Sequence, residues 1–147
     1  MRRFQLILPF RESRRLHGRA YRAQQDGHKE IVGLLLRDIS GRLKLEFVEN
    51  SAPAGSWTLA LTAIRDVRSS ARENGYQLVG LFHSHPLTSA ILGKRDLRST
   101  PLNWLHLVYD VCGREARLWR VIRRRRRRIA IMIPFVVEPR SAKTRRK

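Results

Sequence analysis

The apolar run Leu78-Val79-Gly80-Leu81-Phe82 passes without a break into His83-Ser84-His85-Pro86, and this junction constrains the fold more than any other part of the 147-residue chain. Such a run reads as a buried strand, so the chain must build a sheet around it. Residues two apart on a strand point the same way, so His83 and His85 share a face and can close on one ion. Pro86 biases His85 toward an extended backbone, which favours that geometry. Asp96 follows eleven residues after His85 and offers a harder oxygen ligand of the kind zinc accepts. Three protein ligands leave one corner of a tetrahedron for water, the arrangement of a catalytic zinc site. Spacing alone leaves blander readings open: two packing histidines, and an Asp96 that is a charge at a helix N-terminus near Leu97. Glu30, just before a second apolar run (Ile31 to Leu36), is either a catalytic base or an exposed charge at a strand entrance.

Taken together, these segments resemble the JAMM (MPN+, JAB) metalloprotease family. The resemblance rests on Glu30 ahead of Ile31-Val32-Gly33-Leu34-Leu35-Leu36, on Val79 through Pro86, and on Asp96. The family pattern is a distant glutamate, then His-(Ser/Thr)-His-Pro, then further on a serine, two residues and an aspartate. Every element is present except that serine, whose position is Gly93. The likeness runs over roughly residues 4–122 and includes the link Glu49-Asn50-Ser51-Ala52-Pro53. It implies an α/β fold: one domain with a curved mixed β-sheet flanked by helices, similar to the cytidine deaminase fold. It also implies one zinc ion (Zn2+) held by His83, His85 and Asp96, with Glu30 as general base. The implied reaction is hydrolysis of an amide bond after the C-terminal glycine of a ubiquitin-like or sulfur-carrier protein.

Gly93 is the departure. The family's serine is thought to donate a hydrogen bond to the developing oxyanion, and one such donor is worth about 10² to 10³ in turnover. The expected substitutes are a backbone N–H or a hydroxyl of Ser84, Thr88 or Ser89, with Ser84 taken as the catalytic candidate. Glycine could also be present because the backbone requires positive φ there.

Charge is the other conspicuous property. The chain carries 31 basic against 12 acidic residues, net +19, and residues 123–147 alone account for +10. Six adjacent arginines, Arg123 to Arg128, read either as a solvated hairpin tip or as a docking strip for an acidic partner or a polyanion. No aromatic residue interrupts them, so there is no base-stacking platform. The single cysteine, Cys112, excludes an internal disulfide and the Pro-Cys-x-x-Cys site of nucleobase deaminases. No transmembrane segment is expected, since no eighteen-residue apolar run exists, and the apolar stretch after Arg2-Arg3 is too short for a secretory signal. The expected location is cytoplasmic. Two other function classes remain open: an inactive interaction scaffold of the same fold, and a basic nucleic-acid-binding module.

The expected element order is a strand over Phe4 to Leu8, then a helix capped by Ser13 and ended near Gly27. Strands follow at Ile31 to Leu36 and Leu43 to Phe47, then an Asn50 to Ser56 loop and a helix from about Thr58 to Arg72. After the histidine strand come Leu105 to Val111, a turn at Cys112-Gly113, and Ala116 to Ile122. Ile129 to Val137 contains Pro134 and reads as an edge or broken strand. Residues 1–138 form the expected domain, and 139–147 a basic, disordered tail. His17, His28 and His106 lack partners at metal spacing and read as surface or packing residues. Trp57, Trp104 and Trp119 read as core or rim packing.

Overall fold

The computed structural model of the chain describes residues 5–140. Its first strand, β1, is only Ile7–Leu8, and α1 begins at once, at Phe10–Gln25. The cap expected at Ser13 is not there. Pro9 stands at the helix boundary with φ of −60°, and Ser13 Oγ instead donates back to the Phe10 carbonyl at 2.9 Å. A proline fixes φ before the first turn, so the helix starts earlier than the serine implied.

β2 (Val32–Arg37) and β3 (Leu43–Val48) form the expected hairpin. α2 covers Leu61–Glu73, three residues later than the sequence implied, because Thr58 is held in the loop by the Asn50 side chain. β4 (Gln77–His85) carries the two histidines, and a short α3 (Lys94–Ser99) follows. β5 (Leu105–Asp110), β6 (Glu115–Arg124) and β7 (Arg127–Ile133) complete a six-stranded mixed sheet in the order β3-β2-β4-β5-β6-β7. β7 is an edge strand, and Pro134 ends it as expected of a proline beside a sheet. The remainder of that apolar stretch forms β8 (Val136–Val137), which pairs in parallel with β1 to make a second, two-stranded sheet. Nothing in the sequence pattern announced that pairing. Arg42 secures it from the side with two bonds to Glu138, at 2.8 and 3.1 Å. The tail expected for 139–147 lies, beyond Arg140, outside the described residues, as does the start of the first expected strand.

The core sits between α1 and the sheet, with Leu16 and Ala20 of the helix facing Leu35, Leu45, Phe82 and Leu107. A carboxylate fastens the two layers. Glu12 is buried, and its Oε2 accepts the Leu45 N–H at 2.8 Å while Arg15 pairs with it at 3.1 Å. Among the described residues no helix is long and apolar enough to cross a membrane.

Strand order decides where chemistry can occur. β2 runs antiparallel to β4 with Val32 opposite His83, so the residues before β2 lie beside the C-terminal end of β4. β5 runs parallel to β4, with His83 opposite Val108. Two glycines allow strands and rings to approach at this point. A Cβ on Gly33 would collide with the Phe82 ring, and one on Gly80 with the Leu105 carbonyl. Gly80→Ala should therefore push β4 away from β5 and lose about 1–3 kcal/mol or more in urea unfolding. A variant as stable as wild type would show that β5 yields freely.

Candidate metal centre

His83 and His85 sit on one face of β4, His83 fully buried and His85 nearly so. Asp96 enters from the third position of α3. Its Oδ2 is 3.4 Å from Nε2 of His83 and 3.4 Å from Nε2 of His85. Asp96 is thus an early helix charge that also lies against the two histidines. Glu30 comes in from the chain leading into β2. One ligand atom each from Glu30, His83 and His85 lies within 4.8 Å of the others.

Hydrogen bonds fix the proton positions. Thr100 Oγ1 donates to the Asp96 carbonyl at 2.7 Å, so it can only accept from His106 Nδ1 at 2.6 Å. With its proton on Nδ1, neutral His106 accepts at Nε2 from His83 Nδ1, 2.7 Å away. His83 Nε2 is then left with a bare lone pair. On the other ligand, His85 Nδ1 donates to the Ser89 carbonyl at 2.7 Å, again leaving Nε2 for the cluster. Burial drives His106 well below its ordinary value and lowers His83 too, which keeps both rings neutral.

The sequence reads His106 as a packing residue without a metal-site partner. It is instead the support of His83, brought there by the parallel β4–β5 register. The available signal was a histidine inside the apolar strand LHLVY, a buried polar group that must find partners. Trp57 also departs from expectation. Its indole N–H donates to Asp96 Oδ1 at 2.9 Å, and its ring lies 5.5 Å from that of His83. Asn50 holds the loop that carries it, donating to the carbonyls of Glu30 at 2.8 Å and Ser56 at 2.9 Å. Trp104 and Trp119 are half-buried, and the Trp119 indole donates to the Ala90 carbonyl at 3.0 Å. His17 bonds the Tyr109 hydroxyl away from the centre. His28 lines the cleft with no ligand role.

The two carboxyls are treated differently. Burial alone would raise Asp96, but the neighbouring imidazoles of His83 and His85, with help from the Trp57 N–H, hold it far below the carboxylate range. The Gly93 N–H donates to its Oδ2 at 3.1 Å. Glu30 has no such support: its Oε2 is buried without a hydrogen-bond partner, and burial raises the carboxyl to about 7. His83 Nε2 is likewise buried and unpartnered. Burial lowers His85, but Asp96 and the Ser89 carbonyl outweigh it and raise that ring, whose Nε2 faces Asp96 Oδ2 at 3.4 Å. His83 Nε2 and Glu30 Oε2 are left as buried polar atoms with no protein partner, which a cation would satisfy. The residues present therefore fit a divalent metal with nitrogen and oxygen ligands.

Ser84 is not where an oxyanion donor must be. It is fully buried, does not line the cleft, and its Oγ accepts the Ile31 N–H at 2.9 Å. Its own N–H donates to the Ile31 carbonyl at 3.1 Å, so Ser84 locks the residue after Glu30 onto β4. Strand alternation explains this, since the residue between two inward histidines must face the other way. Gly93 does line the cleft, at the N-cap of α3 with φ of −70°. Positive φ is not its reason, and a Cβ there would meet only Asp96 Oδ2 at 3.5 Å. Thr88 also lines the cleft, while Ser89 does not. The cleft has a volume of about 550 Å³, with Glu30, His85 and Asp96 along one wall.

The proton chain from Thr100 makes a direct prediction. His106→Phe should weaken zinc binding about 10–100-fold in a folded protein, read by competition with a chromophoric chelator. Thr100→Val should shift affinity in the same direction by less. Unchanged affinity in both would show that His83 needs no outer support.

The profile of prokaryotic homologs of the JAB domain matches residues 15–122 of the chain. A solution structure of a protein from Desulfitobacterium hafniense superposes with a TM-score of 0.61 at 19% identity, over 94% of this chain and 97% of that one. A protein from Salinibacter ruber gives 0.61 at 19%, over 90% and 92%. The crystal structure of a JAB1/MPN domain protein from Archaeoglobus fulgidus gives 0.50 at 16%, over 91% and 100%. Identities this low speak to the fold alone. No curated protein sequence matches. The family profile covers most of the chain: the chain belongs to the prokaryotic JAB domain family.

Proposed function

We propose that this protein is a cytoplasmic zinc metallopeptidase that hydrolyses an amide bond, with His83, His85 and Asp96 as ligands and Glu30 as general base. The observation that carries this reading is the contrast between the two carboxyls. Asp96 is ionised and anchored by two N–H donors, as a ligand must be, whereas Glu30 is unanchored at Oε2 and raised to about 7. Zinc, when bound, supplies a Lewis acid that acidifies water and polarises a carbonyl. The rest is the work of the chain. Glu30 takes the proton of the attacking water and returns it to the leaving amine nitrogen, so no covalent enzyme intermediate is required. Trp57 and the buried ring of His83 limit water on one side of Asp96, which strengthens the charge interactions there.

The substrate we propose is the extended C-terminal tail of a ubiquitin-like or sulfur-carrier protein, cleaved after its terminal glycine. A cleft lined by Gly27, Gly55 and Gly93 beside Pro86 and Leu87 supports this, since it offers little side-chain bulk to a narrow peptide. Gly93 leaves oxyanion stabilisation to backbone N–H groups and Thr88, so turnover is expected to be modest.

Two variants test the mechanism. Glu30→Gln should retain one zinc per chain and abolish hydrolysis; loss of zinc would make Glu30 a ligand, and retained turnover would remove it from the mechanism. The same variant has a pH signature in metal-free protein. Folding raises the Glu30 carboxyl from 4.5 to about 7, so the folded state binds more protons in that interval and stability falls as pH rises through it. Glutamine cannot lose that proton. The melting temperature of Glu30→Gln should match wild type near pH 4.5 and exceed it increasingly up to pH 7 and above. Gly93→Ser, which the backbone accommodates, should raise kcat about tenfold or more with little change in KM. A folded, zinc-loaded Gly93→Ser protein no faster than wild type would show that another donor already serves the oxyanion.

A further inference from the structure

The arginine run is a rigid β-ribbon and not a loose tail. Arg123 pairs across the ladder with Arg128, and Arg124 with Arg127. Arg125 and Arg126 form the two-residue turn between them, with φ of 49° and 65°. That turn needs positive φ at both central positions, which Asn-Gly adopts readily and arginine does not. Like charges opposite one another on a ladder also repel. Arg123 to Arg127 are all exposed, and among the described residues none of them has a carboxylate partner. The isolated protein thus holds a strained turn and a repulsive ladder that no intramolecular ion pair offsets.

Arg128 differs from the other five. It is half-buried, and its guanidinium donates to the Thr100 carbonyl at 2.6 Å, fastening the ribbon to the end of α3. α3 packs on β7 and exposes Lys94, Arg95 and Arg98. Its one acidic residue, Asp96, is buried in the metal centre. Basic side chains therefore stand at the rim of the cleft (Arg95), along α3, at its end (Arg128) and at the hairpin tip.

We propose that this ribbon binds the sugar-phosphate backbone of nucleic acid without regard to sequence, holding the metal cleft beside a polyanion. The proposal is independent of the peptidase reading. Guanidinium forks match phosphate oxygens two at a time. A protein docking site would place an apolar anchor at its centre, whereas the exposed apolar side chains of β7, Ile131 and Met132, lie beyond Arg128 and away from the tip. A nucleic-acid backbone needs no such anchor, and the net charge of +19 draws polyanions to the whole molecule. The tip has no aromatic side chain to stack on bases, so it carries no sequence readout. A two-stranded ribbon is of a size to enter the major groove of a B-form duplex, with arginines facing both walls.

The test is anisotropy of a labelled DNA duplex of about 20 base pairs, titrated with the full chain over a series of salt concentrations. Changing Arg123, Arg124, Arg126 and Arg127 to Gln, with Arg128 retained, should weaken binding at least about tenfold at low salt. It should also reduce the slope of log K against log salt by about 3.6, since each neutralised phosphate adds roughly 0.9 to that slope. A control that removes the same charge elsewhere, Arg11, Arg65, Arg68 and Arg72 to Gln, should stay within about threefold of wild type. A second variant, Arg125→Asn with Arg126→Gly, should melt at higher temperature yet bind duplex more weakly, because it relieves the turn and removes two charges. Equal weakening in the two four-site variants would overturn the proposal in favour of diffuse attraction. Failure of wild type to bind duplex while it binds a polyglutamate peptide or phosphatidylserine vesicles would overturn it in favour of an acidic protein or a membrane.

Discussion

A buried cluster of two imidazoles and a carboxylate holds the organising position in this molecule. Nε2 of His83, Nε2 of His85 and Oδ2 of Asp96 converge, with the carboxylate oxygen 3.4 Å from each nitrogen, and each side chain is held there from behind. Thr100 and His106 orient the first imidazole, Ser89 the second, and Trp57 with the Gly93 amide the carboxylate. The supports come from separate stretches of chain, so much of the fold serves to bring these groups together. The His83 nitrogen at their focus is buried without a partner, and a cation there would satisfy it.

Sheet topology is what makes convergence easy. An antiparallel β2 beside β4 sets the start of one strand against the end of the other, and Ser84 ties them at Ile31, so Glu30 arrives beside His85 without a long loop. A parallel β5 on the other side sets His106 behind His83. The crossover needed for that parallel pair contains α3, which brings Asp96. One connection thus delivers both the carboxylate of the cluster and the strand that supports His83.

What could be read in advance follows from how local each signal is. His83 and His85 lie in one contiguous run, and the strand period alone gives them a common face. For Asp96 and Glu30 position alone left two readings open, a helix-terminus charge and a strand-entrance charge being the others, and the resemblance favoured the site. The strands with alternating or continuous apolar patterns were legible, as was the break at Pro134. The support layer was not. His106, Thr100, Trp57 and Asn50 act through register and loop path, which no local pattern encodes. Ser84 shows the reverse error: it stands beside the ligands in sequence, but the same strand period that unites the histidines turns it away. Two-residue strands such as β1 and β8 carry no periodicity, so their pairing could not be anticipated.

That pairing has a kinetic consequence. β1 and β8 join Ile7 to Val136, nearly the whole length of the described chain, through only two residue pairs. Closing so large a loop for so small a reward comes late, after the local hairpins β2–β3, β5–β6 and β6–β7. The metal ligands and their supports all fall between residues 30 and 106, inside the span that this last step closes. If the cluster holds zinc, as proposed, a partly folded chain whose outer strands are still apart can capture it. Zinc would then act as an early clamp on the folding pathway, and the rate of metal uptake would not depend on the final closure.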